Sequence, residues 1–236
     1  MPNVFVETLL ASSLPIIMEV KRQDGHGTDL MGDRTIPEVV DAYAEAGAPC
    51  ISVVTGKWFG GEDQMLVDVA ALTDKPLLKK DFITREKQLV EAREVGASAV
   101  LLTAKILPKT SLPKVIEMTL ANELVPFVEI VDRDELERVI HPERCIVAVN
   151  NKDIKGQERD SGDIDVSRDL LGAVIDSGTP CPVSASAITD PRVAAELIDA
   201  GFKGLLVGTG LLQAPSIQGF VDDFVRHREM AGKAGA

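Results

Sequence analysis

Charged side chains follow three short apolar runs in this sequence, at positions that give them no role in packing. The first run ends at Glu19 and Lys21, the second at Lys80 and the third at Glu129. A lysine and a carboxylate that share a water-poor site are suited to general acid–base catalysis, because burial and a nearby opposite charge move their pKa values toward neutrality. We therefore take these four residues as the candidate catalytic group.

Eight predicted strand–helix units position these side chains. Apolar runs begin near residues 15, 49, 76, 99, 125, 145, 181 and 203, and each run is followed by a helical pattern. Residues 5–10 form either a helix or a short strand. Glycines end several helices, and the predicted N-caps are Thr35, Thr84, Ser111, Asp132 and Asp190.

The regular alternation of strand and helix predicts a parallel sheet, and the count of eight favours a closed (β/α)8 TIM barrel. We expect residues 1–236 to form a single barrel domain. The alternative is a doubly wound open sheet, which usually carries a glycine-rich phosphate loop after its first strand. Residues 21–32 contain glycines, but no helix begins among them.

The carboxyl ends of the strands meet on one face of such a barrel, where active sites are built. Side chains alternate between the two faces of a strand, so Glu19 and Lys21 point into the mouth together, whereas Lys79 points away from Lys80. Other strand ends place further polar or glycine residues there, namely Lys105, Asn150, Lys152, Ser186, Gly208 and Thr209. Lysines within a chain of net charge −12 indicate an anionic ligand, and the glycines favour a phosphate.

Charge and composition exclude several classes of function. The net charge of −12 argues against nucleic acid or an anionic membrane as a partner. No apolar run approaches the ~20 residues of a membrane span, and the first residues lack the basic start of a signal peptide. Three separated cysteines, Cys50, Cys145 and Cys181, are typical of reduced thiols in a cytoplasmic protein.

The strand ends, in this order, resemble the indole-3-glycerol phosphate synthase family from about Pro15 to Phe224. The most specific matching segments are Leu78-Lys79-Lys80-Asp81-Phe82, Val128-Glu129-Ile130 and Asn150-Asn151-Lys152-Asp153. The resemblance implies a lyase of tryptophan biosynthesis that closes a ring on 1-(2-carboxyphenylamino)-1-deoxyribulose 5-phosphate and releases carbon dioxide and water. It also implies that neither a metal nor an organic cofactor is needed.

Carried over by position, the resemblance implies a role for each residue of the mouth. Lys80 is the general acid that activates the substrate carbonyl, and Glu129 is the general base of the later dehydration. Lys21 holds the substrate near its phosphate, while Glu19 and Asn150 orient the reacting parts. The implied phosphate contacts are Ser186 and the backbone N–H groups around Ala187, Gly208 and Thr209.

The sequence departs from the family pattern around the substrate. Ala185 and Ala187 stand where the family has Glu and Gly, and Lys152 replaces an Arg that contacts a carboxylate in two places. Asp24 lies where the substrate passes, and we consider it as a replacement for the missing carboxylate. The family's N-terminal helical extension is largely missing, and the loop of residues 152–165 is longer and more acidic than usual.

Three functional hypotheses remain. The chain either performs the family reaction with a reshaped pocket or acts on a related phosphorylated or aryl-amine substrate. A catalytically silent barrel that binds a phosphorylated metabolite is the second hypothesis, and a phosphate-sugar isomerase is the third. We expect a small phosphorylated aromatic-amine substrate and either a monomer or a homodimer. His26 is either a loop residue or a catalyst, and Trp58 with Phe59 either covers the pocket or packs its own loop.

Overall fold

A closed barrel of eight parallel strands, arranged in sequence order, forms the centre of the molecule. The computed structural model describes residues 3–152 and 162–234. The strands are β1 Ile16–Val20, β2 Cys50–Val54, β3 Leu77–Lys80, β4 Ala97–Thr103, β5 Val125–Ile130, β6 Ile146–Asn150, β7 Cys181–Ala185 and β8 Gly204–Val207. The predicted TIM barrel is confirmed, and the open doubly wound sheet is excluded because β1 pairs with β8.

Helices surround the barrel and follow the strands as the sequence pattern predicts. They are α1 Val4–Ala11, α2 Ile36–Glu45, α3 Asp63–Leu72, α4 Glu86–Glu94, α5 Ser111–Ala121, α6 Arg133–Leu136, α7 Asp165–Asp176, α8 Pro191–Ala200, α9 Thr209–Leu212 and α10 Ile217–Ala234. Short 3-10 turns occur at Lys57–Phe59 and Pro142–Arg144. None of the helices in the described ranges is long and apolar enough to cross a membrane.

The start of the chain is a helix that closes the bottom of the barrel. Phe5 and Leu9 are four residues apart, so they share one face of α1, and both are completely buried among the inward side chains of the strands. Gly204 of β8 leaves room for them, since a Cβ there would lie 2.9 Å from Leu9 Cδ2. With the bottom filled, the opposite end of the barrel is the place where a ligand can bind.

Three of the predicted N-caps are confirmed and two are wrong. The side chains of Thr35, Asp132 and Asp190 accept backbone N–H groups of their helices. The N-cap positions of α4 and α5 are instead Arg85 and Thr110. In α4, the Gln88 Oε1 reaches back to accept the N–H groups of Thr84 and Arg85, at 3.0 and 3.1 Å, which makes a cap at Thr84 unnecessary.

Other boundaries also differ from the sequence pattern. The helix after β5 is a single turn that ends at Leu136 rather than at Val139, and α10 continues to Ala234 rather than ending near Met230. The short helix α9 was not predicted, because Gly208-Thr209-Gly210 reads as a turn. Most of the predicted acidic loop 152–165, with Asp153 of the Asn-Asn-Lys-Asp segment, lies outside the described residues.

The three cysteines are buried free thiols, as the sequence predicts. Burial raises the pKa of each of them to about 12, and only the thiolate is nucleophilic. We therefore expect no reaction with a disulfide reagent at pH 8 in the folded protein, and reaction of three thiols after unfolding in denaturant. Rapid labelling of the native protein would show that a thiol lies at the surface.

Candidate active site

The Lys80 ammonium lies between two carboxylates at the mouth of the barrel. Its Nζ is 3.2 Å from Glu19 Oε2 and 3.8 Å from Glu129 Oε1. The side chain of Lys80 is only 8% exposed, that of Glu19 3% and that of Glu129 2%. In so dry a setting each charge acts strongly on its neighbours, because little water screens it. The structure thus brings together an acid and a base candidate that lie far apart in sequence.

Strand alternation decides which lysine enters this cluster. Lys80 points into the barrel, whereas the adjacent Lys79 points outward, where its Nζ lies 2.6 Å from Asp63 Oδ1 at the start of α3. The two lysines therefore have different partners in different layers of the fold, as predicted.

Glu19 is fixed on both its backbone and its side chain. The Tyr43 hydroxyl donates to the Glu19 carbonyl at 2.8 Å, and the Ser52 hydroxyl lies 3.4 Å from Glu19 Oε2. Burial, with the nearby Glu19 charge, raises the pKa of Tyr43, so this hydroxyl remains a donor. Gly208 of the β8 end lies directly beside Glu19, and the missing side chain is what allows the carboxylate its position.

Asn150 connects the base candidate to the end of β6. Its Nδ2 donates to Glu129 Oε2 at 3.2 Å, and its Oδ1 accepts the backbone N–H of Lys152 at 2.9 Å. Because both ends of the amide are engaged, Asn150 holds one orientation of the Glu129 carboxylate. The backbone of Lys152 is fixed by the same side chain.

Lys21 is buried and packs against an aromatic ring of the next loop. Its Nζ lies 4.1 Å from the centroid of the Phe59 ring, a favourable cation–π arrangement. Trp58, 58% exposed, meets Phe82 edge to face with ring centroids 4.5 Å apart. The aromatic residues of the Lys57–Phe59 turn thus contact the loops after β1 and β3, and Phe59 packs directly on a candidate site residue.

A cleft of about 80 Å³ opens beside the charged cluster, between the ends of β1, β7 and β8. It is lined by Glu19, Lys21, Lys80, Lys152, Ser186, Ala187, Ile188, Thr189, Leu206, Val207, Gly208, Thr209 and Gly210. Three lysines face a single carboxylate along this wall, so the cleft carries positive charge within an acidic protein. It suits a small anion such as a phosphate group.

Three candidates from the sequence lie outside this arrangement: Asp24, His26 and Lys105. The Asp24 carboxylate accepts the backbone N–H groups of His26 and Thr28 at 2.8 and 2.9 Å, so it closes its own turn and does not line the cleft. Partial burial acts to raise the pKa of Asp24, but these hydrogen bonds outweigh it and lower the pKa. His26 is exposed on the same turn, and Lys105 pairs with Asp132 and Glu135 in neighbouring loops.

Three further polar residues of the mouth were not singled out from the sequence: Ser52, Thr103 and Asn151. Thr103 ends β4 next to Glu129 in the sheet register, and its buried hydroxyl has no hydrogen-bond partner among residues 3–152 and 162–234. Alternate residues of a strand share a face, so Thr103 points the same way as the buried Leu101, two residues earlier in β4. This alternation could have indicated Thr103 from the sequence. The described residues contain no cluster of three or more His, Cys, Asp or Glu side chains able to hold a metal ion.

Comparison with known proteins assigns the family. A family model described as indole-3-glycerol phosphate synthase matches residues 2–224. The chain belongs to this family. A Pyrococcus furiosus indole-3-glycerol phosphate synthase is 35% identical over 219 residues, which cover 91% of this chain and 93% of that protein. A Bacillus mycoides protein of the same name is 33% identical, over 88% of this chain and 81% of its own length.

Two of the departures that the resemblance implies, Ala185 and Ala187, lie at the end of β7. Ala185, fully buried, ends β7 beside Asn150 and offers only a methyl group. Ser186 and Ala187 follow with φ angles of +67° and +59°, a left-handed conformation that glycine adopts most easily. The methyl group of Ala187 touches Gly162, where a Cβ would come within 2.4 Å of it.

Gly208→Ala is expected to lower kcat/KM by about 10²-fold, because it displaces the Glu19 carboxylate from Lys80. An added Cβ would lie 2.6 Å from Glu19 Oε1, while the backbone φ of −117° is open to alanine. Steady-state kinetics of ring closure, together with the melting temperature, measures the effect.

Gly172→Ala is the matched control for this substitution. Gly172 lies inside α7 with no atom within 4 Å of an added Cβ, so alanine there should stabilise the protein by about 1 kcal/mol without changing kcat/KM. Equal kinetics for both variants would mean that the position of Glu19 does not matter.

Proposed function

We propose that this protein converts 1-(2-carboxyphenylamino)-1-deoxyribulose 5-phosphate to indole-3-glycerol phosphate, with release of carbon dioxide and water. One observation carries the proposal: a buried lysine held between two buried carboxylates at the catalytic end of the barrel. Membership of the family supports it. Acid and base groups are both present in the mouth, as a condensation followed by a dehydration requires.

In the first step the ring carbon that bears the carboxylate attacks the ribulose carbonyl carbon. Lys80 donates its proton to the carbonyl oxygen, which becomes a hydroxyl group. The bond to the carboxylate then breaks, and its electron pair restores the aromatic ring as carbon dioxide leaves. Glu19, 3.2 Å from Lys80 Nζ, holds the ammonium in place for this transfer.

In the second step the Lys80 ammonium, which has regained a proton from solvent, protonates the new hydroxyl group, and this group leaves as water. Glu129 accepts the proton that is lost from the carbon beside the nitrogen, and the pyrrole double bond forms. Asn150 keeps the Glu129 carboxylate aimed at the substrate through the 3.2 Å hydrogen bond. Lys80 Nζ lies 3.8 Å from Glu129 Oε1, so the positive charge of the acid is close to the base.

The cleft beside the charged cluster receives the phosphate end of the substrate. Lys21 and Lys152 supply positive charge, and Ser186, Ala187, Gly208 and Thr209 supply backbone or hydroxyl donors along the wall. The aryl amine then extends toward Asn150. Asp24 keeps a turn of the entrance loop in shape rather than meeting the substrate directly.

A related substrate with a different aryl group is the second candidate. It is favoured by Ala185, which offers only a methyl group where the family resemblance implies a carboxylate. Comparing kcat/KM for the 2-carboxyphenyl compound and for ring-substituted analogues separates the two candidates.

The decisive experiment measures indole product and carbon dioxide release from the carboxyphenylamino compound by purified protein without added metal or cofactor. Formation of the indole product together with release of carbon dioxide supports the proposal. An absence of turnover, together with unchanged substrate binding in Lys80→Ala, would contradict it and favour a silent binding barrel. Consumption of an amino-ribulose phosphate without carbon dioxide release would indicate an isomerase.

The reduced thiols and the acidic surface fit a cytoplasmic enzyme whose partner is a small phosphorylated molecule rather than nucleic acid or membrane. Both a monomer and a homodimer are compatible with a mouth built from one chain, and sedimentation at several concentrations distinguishes them.

A further inference from the structure

The turn after β7 holds two successive residues with side chains in the left-handed region. Ser186 and Ala187 have φ angles of +67° and +59°, and both line the anion cleft. Residues with a Cβ avoid this conformation, so a pair of them persists only when surrounding contacts impose it. Those contacts come from Asn151, a residue to which no role has been given so far.

Asn151 fixes the turn through its side-chain amide. Its Nδ2 lies 3.0 Å from the Ala185 carbonyl oxygen, 3.1 Å from the Ser186 carbonyl oxygen and 3.1 Å from Ser184 Oγ. Its backbone N–H donates to the Ala185 carbonyl as well, at 3.0 Å. Two consecutive carbonyl groups are therefore drawn toward one buried side chain.

The orientation of the Asn151 amide is fixed by its oxygen as well. Its Oδ1 accepts the backbone N–H of Ser167 in α7 at 3.2 Å, and the hydroxyl groups of Ser167 and Ser184 lie 2.7 Å apart. All three side chains are almost completely buried. A buried polar network with every member satisfied is rigid, because breaking any bond leaves a buried group unpaired.

The direction of these carbonyl groups sets the direction of the following N–H groups. In a trans peptide unit the N–H lies opposite to the C=O, so the N–H groups of Ser186 and Ala187 face away from Asn151. Neither donates to an acceptor within the part of the chain that the structure describes. Two successive N–H groups of this kind form a concave donor pair suited to an anion.

We propose that Asn151 is a positioning residue that sets the phosphate affinity of the cleft, by holding the turn so that the N–H groups of Ser186 and Ala187 face the anion. The inference rests on the phosphate site of the proposed function and adds the residue that shapes it. Asn151 touches neither the substrate nor the charged cluster around Lys80.

The test uses Asn151→Ala, with Ser167→Ala as the control within the same buried network. Asn151→Ala should raise KM for the phosphorylated substrate, and the Kd for inorganic phosphate, by about tenfold or more while kcat changes less than about threefold. Ser167→Ala removes a hydroxyl from the network but leaves both carbonyl contacts of Asn151, so it should lower the melting temperature without changing Kd.

A second variant gives a readout that a purely structural role would not produce. Glycine adopts φ above zero at no steric cost, so adding Ala187→Gly to Asn151→Ala should restore part of the phosphate affinity. Equal affinity in Asn151→Ala and the natural protein would overturn the inference, as would a double variant that binds more weakly than Asn151→Ala.

Calorimetric titration with inorganic phosphate needs no turnover, so it separates this inference from the proposed function. If phosphate binds and depends on Asn151 but no ring closure occurs, the proposed reaction fails and the inference stands. If ring closure occurs but inorganic phosphate neither binds nor inhibits, the donor pair is not an anion site and the inference fails alone.

Discussion

Lys80→Met is expected to lower kcat for ring closure by about 10³-fold, within the range of about 10² to 10⁴ that a general acid contributes. Methionine keeps the length of the side chain but removes the proton that the substrate carbonyl needs. It also leaves Glu19 and Glu129 buried without the ammonium that lies 3.2 and 3.8 Å from them. The free energy of unfolding should therefore fall by about 3 kcal/mol. Stopped-flow or steady-state assays on folded protein, checked by circular dichroism, measure the effect.

Lys79→Met is the matched control, one residue away on the same strand. Lys79 pairs outside the barrel with Asp63, whose side chain is 82% exposed and returns to water when its partner is removed. We expect kcat within about threefold of the natural protein and a small loss of stability. Similar kcat losses in both variants would indicate general damage to β3 and would remove the case for Lys80 as the acid.

Glu129→Gln is expected to lower kcat by about 10²–10³-fold, because an amide cannot accept the proton that the dehydration step releases. Glutamine retains the shape of the side chain and can still accept the hydrogen bond from Asn150, so the loss reports the base and not the packing. The dehydration step should become rate-limiting, and carbon dioxide should then be released faster than the indole product appears. Rapid-quench measurement of both products tests this order.

Glu135→Gln is the comparison for this variant, since Glu135 is another buried glutamate close to the end of β5. Its carboxylate accepts the Val131 backbone N–H at 2.9 Å, just before α6. Burial raises the pKa of Glu135, so a neutral side chain is well tolerated at this position. Because Glu135 lies outside the charged cluster around Lys80, the kcat of this variant should stay close to that of the natural protein. An equal loss of kcat in both variants would remove the case for Glu129 as the base.

The parts of the site that the sequence predicted all depend on short-range regularities. Alternation predicted that Lys79 and Lys80 point to opposite sides of β3, and the structure shows Lys80 inside the barrel and Lys79 outside. Parallel strand ends meet on one face, so side chains from distant segments could be assigned to one mouth before any contact was known. The family resemblance selected Lys80 as the acid and Glu129 as the base from the larger set of polar strand ends.

The parts that were missed depend on side-chain contacts that the hydrophobic pattern does not show. Nothing local in Ser186-Ala187 predicts a left-handed turn, because the cause is the side chain of Asn151, which follows β6. Asp24 was assigned by its place after β1, but its carboxylate is engaged by the backbone of its own turn. The wrong cap at Thr84 has a similar origin, since Gln88 supplies the hydrogen bond from within the helix.

The helix at the bottom of the barrel has a consequence for synthesis. Leu9 packs on Gly204 of β8, a segment that is synthesised much later. Barrel closure between β1 and β8 has a similar long separation. Both events wait until β8 has been synthesised, and the entropy of joining distant segments makes them slow. Until then the apolar face of α1 has no final partner, so the nascent chain should be a chaperone client; equal yields of soluble protein with and without chaperones in coupled translation would contradict this.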